Sequence, residues 1–160
     1  MALFEQYHDS LLRYAASVGV PVPDAEEIVQ EVFLSLFRHL QLGRSRRNLR
    51  GWIFRVAHNL TLKRRQANKR WPAASEEEAG IAAQQSDPGP NPEDACSAAQ
   101  RQRRLLAVVH ALPDVDQSCL LMRAEGLRYR EIARALGISL GSVSMSLARS
   151  LGKLARADRG

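Results

Sequence analysis

Between Glu31 and Glu76 the chain has no carboxylate, yet it holds eleven of its 23 lysines and arginines there. They are Arg38, Arg44, Arg46, Arg47, Arg50, Arg55, Lys63, Arg64, Arg65, Lys69 and Arg70, with aromatic residues between them. Cations without neighbouring acids suit a polyanion, because each can displace a condensed counterion from nucleic acid. Just upstream stand residues of the opposite character, Asp24, Glu27, Gln30 and Glu31. One stretch of chain therefore carries a surface for phosphate and a surface for something basic or polar.

Other chemistry is poorly supplied. Cys96 and Cys119 are isolated, and His8, His39, His58 and His110 are scattered, so neither a disulfide framework nor a metal site is expected. There is no glycine-rich phosphate loop, no nucleophile paired with a base and no pair of carboxylates suited to a cleft, so no enzyme is expected and no cofactor. The net charge of +6 favours an acidic partner. No apolar run reaches the roughly 20 residues that span a bilayer, and the first twenty residues lack a signal-peptide pattern, which predicts a cytoplasmic protein with no membrane insertion.

The elements that must position these residues all read as helices. Phe4, Tyr7, Leu11, Leu12, Ala15 and Val18 recur at helical spacing, and Gly19, Pro21 and Pro23 end that run. Asp24 and Glu27 are spaced as a capping box for a second helix with the stripe Ile28, Val29, Val32, Phe33, Leu36, Phe37 and Leu40. Asn48 can cap a third, with the stripe Leu49, Trp52, Ile53, Val56, Ala57 and Leu60. Helical geometry puts Arg55, Asn59 and Leu62 on one flank of it, with Trp52 assigned to the core.

Residues 72–99 lose all periodicity. They hold Pro72, Pro88, Pro90 and Pro92 with six acids, Glu76, Glu77, Glu78, Asp87, Glu93 and Asp94, and no base. This composition predicts a flexible acidic linker, able to extend about 80 Å and so to let two modules occupy separated sites. Beyond it, Leu105, Leu106, Val109 and Leu112 begin further helices. The expected fold is all-α, with two small helical domains, 1–71 and 100–160, joined by the linker.

Residues 129–149 describe a helix-turn-helix. Ile132, Ala133 and Leu136 mark its first helix, Gly137 the sharp turn, Ile138 the plug, Ser139 the next cap, and Val143 with Leu147 the second helix. The front expected on that second helix, Leu140, Ser142, Ser144, Met145 and Ser146, is neutral, and cations resume only at Arg149, Lys153 and Arg156. Serines can bond phosphates or base edges but release no counterions, so this module should bind duplex DNA weakly alone.

Three runs carry a family resemblance. They are Asp24-Ala-Glu-Glu-Ile-Val-Gln-Glu-Val-Phe-Leu-Ser-Leu-Phe37, then Leu49-Arg-Gly-Trp-Ile-Phe-Arg-Val-Ala-His-Asn59, then Ala111-Leu-Pro-Asp114 followed by Glu125-Gly-Leu-Arg-Tyr-Arg-Glu-Ile-Ala-Arg-Ala-Leu-Gly-Ile138. In this order and spacing the chain resembles bacterial RNA polymerase sigma factors of the extracytoplasmic-function class, within the sigma-70 family.

The resemblance implies a sigma factor that binds core RNA polymerase and directs promoter-specific initiation. Residues 1–71 would be its region 2, with Asp24, Glu27, Gln30 and Glu31 meeting the β′ clamp. Arg44, Arg46, Arg47, Arg55, Asn59, Lys63 and Arg64 would melt and read the −10 element, with Asn59 and the loop 42–48 forming a flipped-base pocket. Residues 100–160 would be its region 4, reading the −35 element through Ser139, Ser142, Ser144, Met145 and Arg149 and touching the β flap. The linker would follow the path of nascent RNA, whose charge its acids could imitate. An anti-sigma factor is an expected partner.

Two departures stand out against that family. Members of that family usually have another helical turn or more before the position of Phe4, and Ser144 and Ser146 occupy positions that in them usually carry Lys or Arg. The depleted helix motivates one alternative, a sigma-like adaptor or antagonist that binds polymerase without reading promoters. A helix-turn-helix repressor would need tight duplex binding, which serines do not supply. A recombinase would need an α/β catalytic domain, for which there is no strand pattern.

Overall fold

The structure, a computed structural model, describes residues 2–43, 47–70 and 92–159. Among these residues there are seven helices and no strand: α1 (Ala2–Val18), α2 (Val22–Gln41), α3 (Leu49–Arg70), α4 (Pro92–Ala111), α5 (Asp114–Ala124), α6 (Tyr129–Leu136) and α7 (Leu140–Arg159). The all-α expectation is met. Residues 72–91 of the expected linker, with Trp71, lie outside the described residues, as do Arg44 and Arg46. No described helix is long and apolar enough to cross a membrane.

The end of the expected linker is helical, because α4 already includes residues 92–99. Pro92 suits a first helical position, where its fixed φ is favourable and its missing N–H is no loss. The start of α2 also differs from expectation. It begins at Val22 with Pro21 as its cap and no side-chain capping bond. Pro23 fits the first turn, so Asp24 falls inside the helix and the expected capping box does not form. The third helix does begin after Asn48, which takes a positive φ of 54°. Its side chain lies over Gly51, where a Cβ would stand 2.8 Å from Asn48 Oδ1.

Tyr7, Leu11, Tyr14, Ala15 and Val18 of α1 pack with Ala25, Ile28, Val29, Val32 and Leu36 of α2 and with Ile53, Phe54 and Ala57 of α3. Phe54 meets Tyr14 edge-on, the ring centroids 5.7 Å apart, an arrangement favoured by the ring quadrupoles. One expected core aromatic sits elsewhere, since Phe37 is 60% exposed. Trp52 is half-buried, packed against the core and close to His39 with ring centroids 4.3 Å apart.

In the C-terminal half α7 packs on α4, α5 and α6. Cys119, Met122, Leu127, Ile132, Ala135, Val143 and Leu147 fill its centre. Gly137 adopts the left-handed conformation (φ 68°) that ends α6, which a residue without a Cβ takes freely. Ser139 Oγ then accepts the Ser142 backbone N–H at 3.1 Å, capping α7.

The two halves are packed together. The most extensive contact between described helices is that of α3 with α6, and α1 also touches α5. The buried residues of both halves form one continuous cluster. Polar bonds reinforce it: Arg13 donates from Nε and an Nη nitrogen to the Glu125 carboxylate, the shortest contact 2.9 Å. Arg50 donates to the Gly126 carbonyl at 3.1 Å and reaches Glu131 at 3.9 Å.

Candidate nucleic-acid interface

Helix α3 carries the phosphate-seeking residues, and its exposed stripe is set by the four-residue repeat of a helix. Arg55, Asn59 and Lys63 are all exposed, one turn above another. Leu62, expected on the same flank, is half-buried. Arg47 is exposed in the turn before α3, and its neighbours Arg44 and Arg46 lie outside the described residues. The stripe offers two cations and an amide with both donor and acceptor atoms, a combination able to hold phosphates on either side of a base edge.

Arg64 is different. It is ion-paired with Glu27 of α2, so a residue expected on nucleic acid neutralises one expected on protein. Asn68 similarly donates to Asp24 at 3.0 Å. Between the helices lies a groove of about 580 Å³ lined by Glu27, Gln30, Glu31, Lys63 and Arg64 among others. Three of the four residues expected to meet protein, Glu27, Gln30 and Glu31, thus line one recess with two of those expected to meet DNA. Leu34 and Phe37 are exposed on the same helix as the acids.

One turn from the stripe, His58 faces inward. The Tyr14 hydroxyl bonds its Nδ1 at 2.8 Å, and Ser118 of α5 also bonds that hydroxyl. Burial lowers the pKa of His58, which keeps the ring neutral and its Nδ1 available as an acceptor. Burial raises the Tyr14 pKa far above the usual phenol value. No sequence pattern marks this node, since Tyr14, His58 and Ser118 are far apart in the chain.

On α7 the exposed front comprises Ser139, Leu140, Ser142, Ser144 and Met145, with Met145 64% exposed. Ser146, expected there, is instead buried. The reason is periodicity: Val143, Ser146, Leu147 and Ser150 form the stripe of α7 that faces the core. Ser146 Oγ donates to Asp116 Oδ1 at 2.6 Å, and Arg149 donates to the same oxygen at 3.0 Å. Asp116 is a buried acid of α5 that sequence reasoning did not single out, since an Asp in a first helical turn, here beside Asp114, gives no signal of burial.

Among the described residues no group of three His, Cys, Asp or Glu could hold a metal ion. Cys119 is buried, with its thiol pKa raised chiefly by burial.

Comparison with known proteins identifies the family. Residues 3–70 match the family described as Sigma-70 region 2, and residues 102–154 match Sigma-70, region 4. The chain is similar to the ECF RNA polymerase sigma factor SigL of Mycobacterium tuberculosis, 31% identical over 91% of this chain and 81% of that one. It is also 31% identical to the ECF RNA polymerase sigma factor SigE of Mycolicibacterium smegmatis, over 92% of this chain, and it spans 56% of that protein's length. In fold it is similar to the sigma factor RpoE of Bartonella quintana, solved in complex with the anti-sigma factor NepR. That likeness has a TM-score of 0.61 at 19% identity, covering 98% of this chain and 96% of the other.

Proposed function

We propose that this chain, which belongs to the sigma-70 family, is a promoter-specificity subunit that binds core RNA polymerase and directs transcription initiation. The observation that carries the reading is the exposed stripe Arg55–Asn59–Lys63 on a helix that shares a groove with the acids of α2. A polymerase surface and a strand-reading surface are thereby built on the same pair of helices.

In this reading Asp24, Glu27, Gln30 and Glu31 meet the β′ clamp. Arg44, Arg46, Arg47, Arg55, Lys63 and Arg64 hold the strand while Asn59 bonds a base drawn from the stack at the −10 element, its bonds offsetting the unstacking penalty. Ser139, Ser142, Ser144 and Met145 face the −35 duplex, with Arg149 behind them. The N-terminal unit corresponds to residues 1–71 and the C-terminal one, which also meets the β flap, to 100–160. The polymerase performs the chemistry, and this chain supplies no reacting group. It acts in the cytoplasm, and an anti-sigma factor is its expected controller.

The elements it would read are separated by about 25 base pairs, or about 85 Å of B-form DNA at 3.4 Å per step. With α3 packed on α6, the reading surfaces of α3 and α7 do not reach both. Promoter engagement therefore separates the two halves.

The test is run-off transcription with core polymerase on a promoter library, comparing the intact chain with Asn59→Ala. The intact chain is expected to select start sites, and the variant to lose them while still binding polymerase. A variant as active as its parent on every template removes Asn59 from the base pocket. The neutral front of α7 favours a second reading, a polymerase-binding antagonist. That reading predicts polymerase binding with no selected start site.

A further inference from the structure

The first ten residues of α7 contain a single cation, Arg149, and it is held from below by a carboxylate. Arg149 and Ser146 both donate to Asp116 Oδ1, at 3.0 Å and 2.6 Å. The Asp116 side chain is 5% exposed, whereas that of Arg149 is 55% exposed. Asp116 is thus a fixed, enclosed negative charge directly beneath the helix that faces DNA. It remains ionised at neutral pH. Burial pushes its pKa up, but the bonds from Ser146 and Arg149 and the charges of Arg149 and Lys153 together bring it below the usual carboxylate value.

Position decides what Arg149 could touch. In a helix-turn-helix the base edges are met by the first residues of the second helix. Arg149 lies nine steps past Leu140, about 14 Å along the axis, where the phosphate backbone is the nearer target. A phosphate there meets a pair of opposite charges in contact, not a lone guanidinium.

Building on the reading of α7 as a duplex-facing helix, we propose that Asp116 is a positioning residue that holds Arg149 in a neutralised pair, so that the first ten residues of α7 contribute almost no counterion release to DNA binding. The pair keeps the C-terminal unit weak on DNA of any sequence. Its selectivity is then left to the neutral front, Ser142, Ser144 and Met145, once another surface has brought it to the duplex.

The experiment is binding of the full chain to a random-sequence duplex, without polymerase, over a series of salt concentrations. Asp116→Asn keeps an oxygen for Ser146 and Arg149 but removes the charge. It is expected to bind several-fold tighter at low salt, with the slope of log affinity on log salt steeper by about 0.9, one phosphate contact. Asp116→Asn with Arg149→Gln should return to the parental slope, and Arg149→Gln alone should flatten it by much less than about 0.9. Damage to the fold would weaken binding, the opposite direction.

Unchanged or weaker binding by a folded Asp116→Asn variant overturns the proposal. So does a full phosphate-contact loss from Arg149→Gln alone, which decides the matter even if Asp116→Asn fails to fold. Polymerase is absent from this assay, so the proposed function stands or falls separately, in the run-off experiment.

Discussion

Glu27 of α2 and Arg64 of α3 form an ion pair across the groove between the helices. Both side chains are more than a third exposed, so the pair itself should add no more than about 1 kcal/mol to stability. If Glu27 also meets a cationic partner, its loss there is dearer, about 1.5–3 kcal/mol for a charged hydrogen bond. Glu27→Gln should leave the denaturation midpoint nearly unchanged and weaken competition for core polymerase by tenfold or more. Equal losses in both measurements would assign Glu27 to the fold.

Arg13 and Glu125 connect α1 to the end of α5 through a two-pronged contact. Arg13→Glu sets two acids against each other, and the free chain should expand in small-angle scattering. Arg13→Glu combined with Glu125→Arg should restore the compact form. An expanded double variant would show that the pair does not help to hold the halves together.

The neutral, half-buried His58 links stability to pH. Burial lowers its folded pKa, so below the ordinary histidine value of about 6.5 the unfolded chain binds the extra proton and the folded one does not. Stability is then full above that value and falls as pH drops toward the lowered pKa. Urea midpoints should decline between about pH 7 and about pH 5.5, and His58→Gln should flatten that decline.

Phe54 and Phe37 should behave as opposites. Phe54 is 1% exposed against Tyr14, so Phe54→Ala should cost about 3–5 kcal/mol. Phe37 is largely exposed, and Phe37→Ala should stay within about 0.5 kcal/mol in thermal or urea unfolding. Any loss of polymerase affinity from the latter would assign the ring to docking.

Helix content, the turn at Gly137 and the cap at Ser139 were legible because each is a local property of a few neighbouring residues. The third helix was legible on one face only. Its stripe identified Ile53 and Ala57 but passed over Phe54 and Thr61, which are buried because α3 lies between its own bundle and α6. Ser146 was misplaced for a related reason: a hydroxyl reads as surface unless its buried acceptor, Asp116, is known. The expected separation of the two modules followed from the acidic spacer, whose composition says how far the halves can part and nothing of whether they adhere. At the candidate site, Asn59 and its cations could be found by type and spacing. The pairing of Glu27 with Arg64 could not, since the two are distant in the chain and meet only in the folded bundle.

The Tyr14 hydroxyl gives the junction between the halves an unusual property. Where α1, α3 and α5 converge, a phenol, an imidazole and a serine satisfy one another inside an otherwise oily boundary. On parting, these groups regain water in place of each other, so opening there forfeits less than an all-hydrocarbon surface of equal area would. A seam with polar groups at its centre therefore resists parting less, as the proposed separation of the halves on promoter DNA would require.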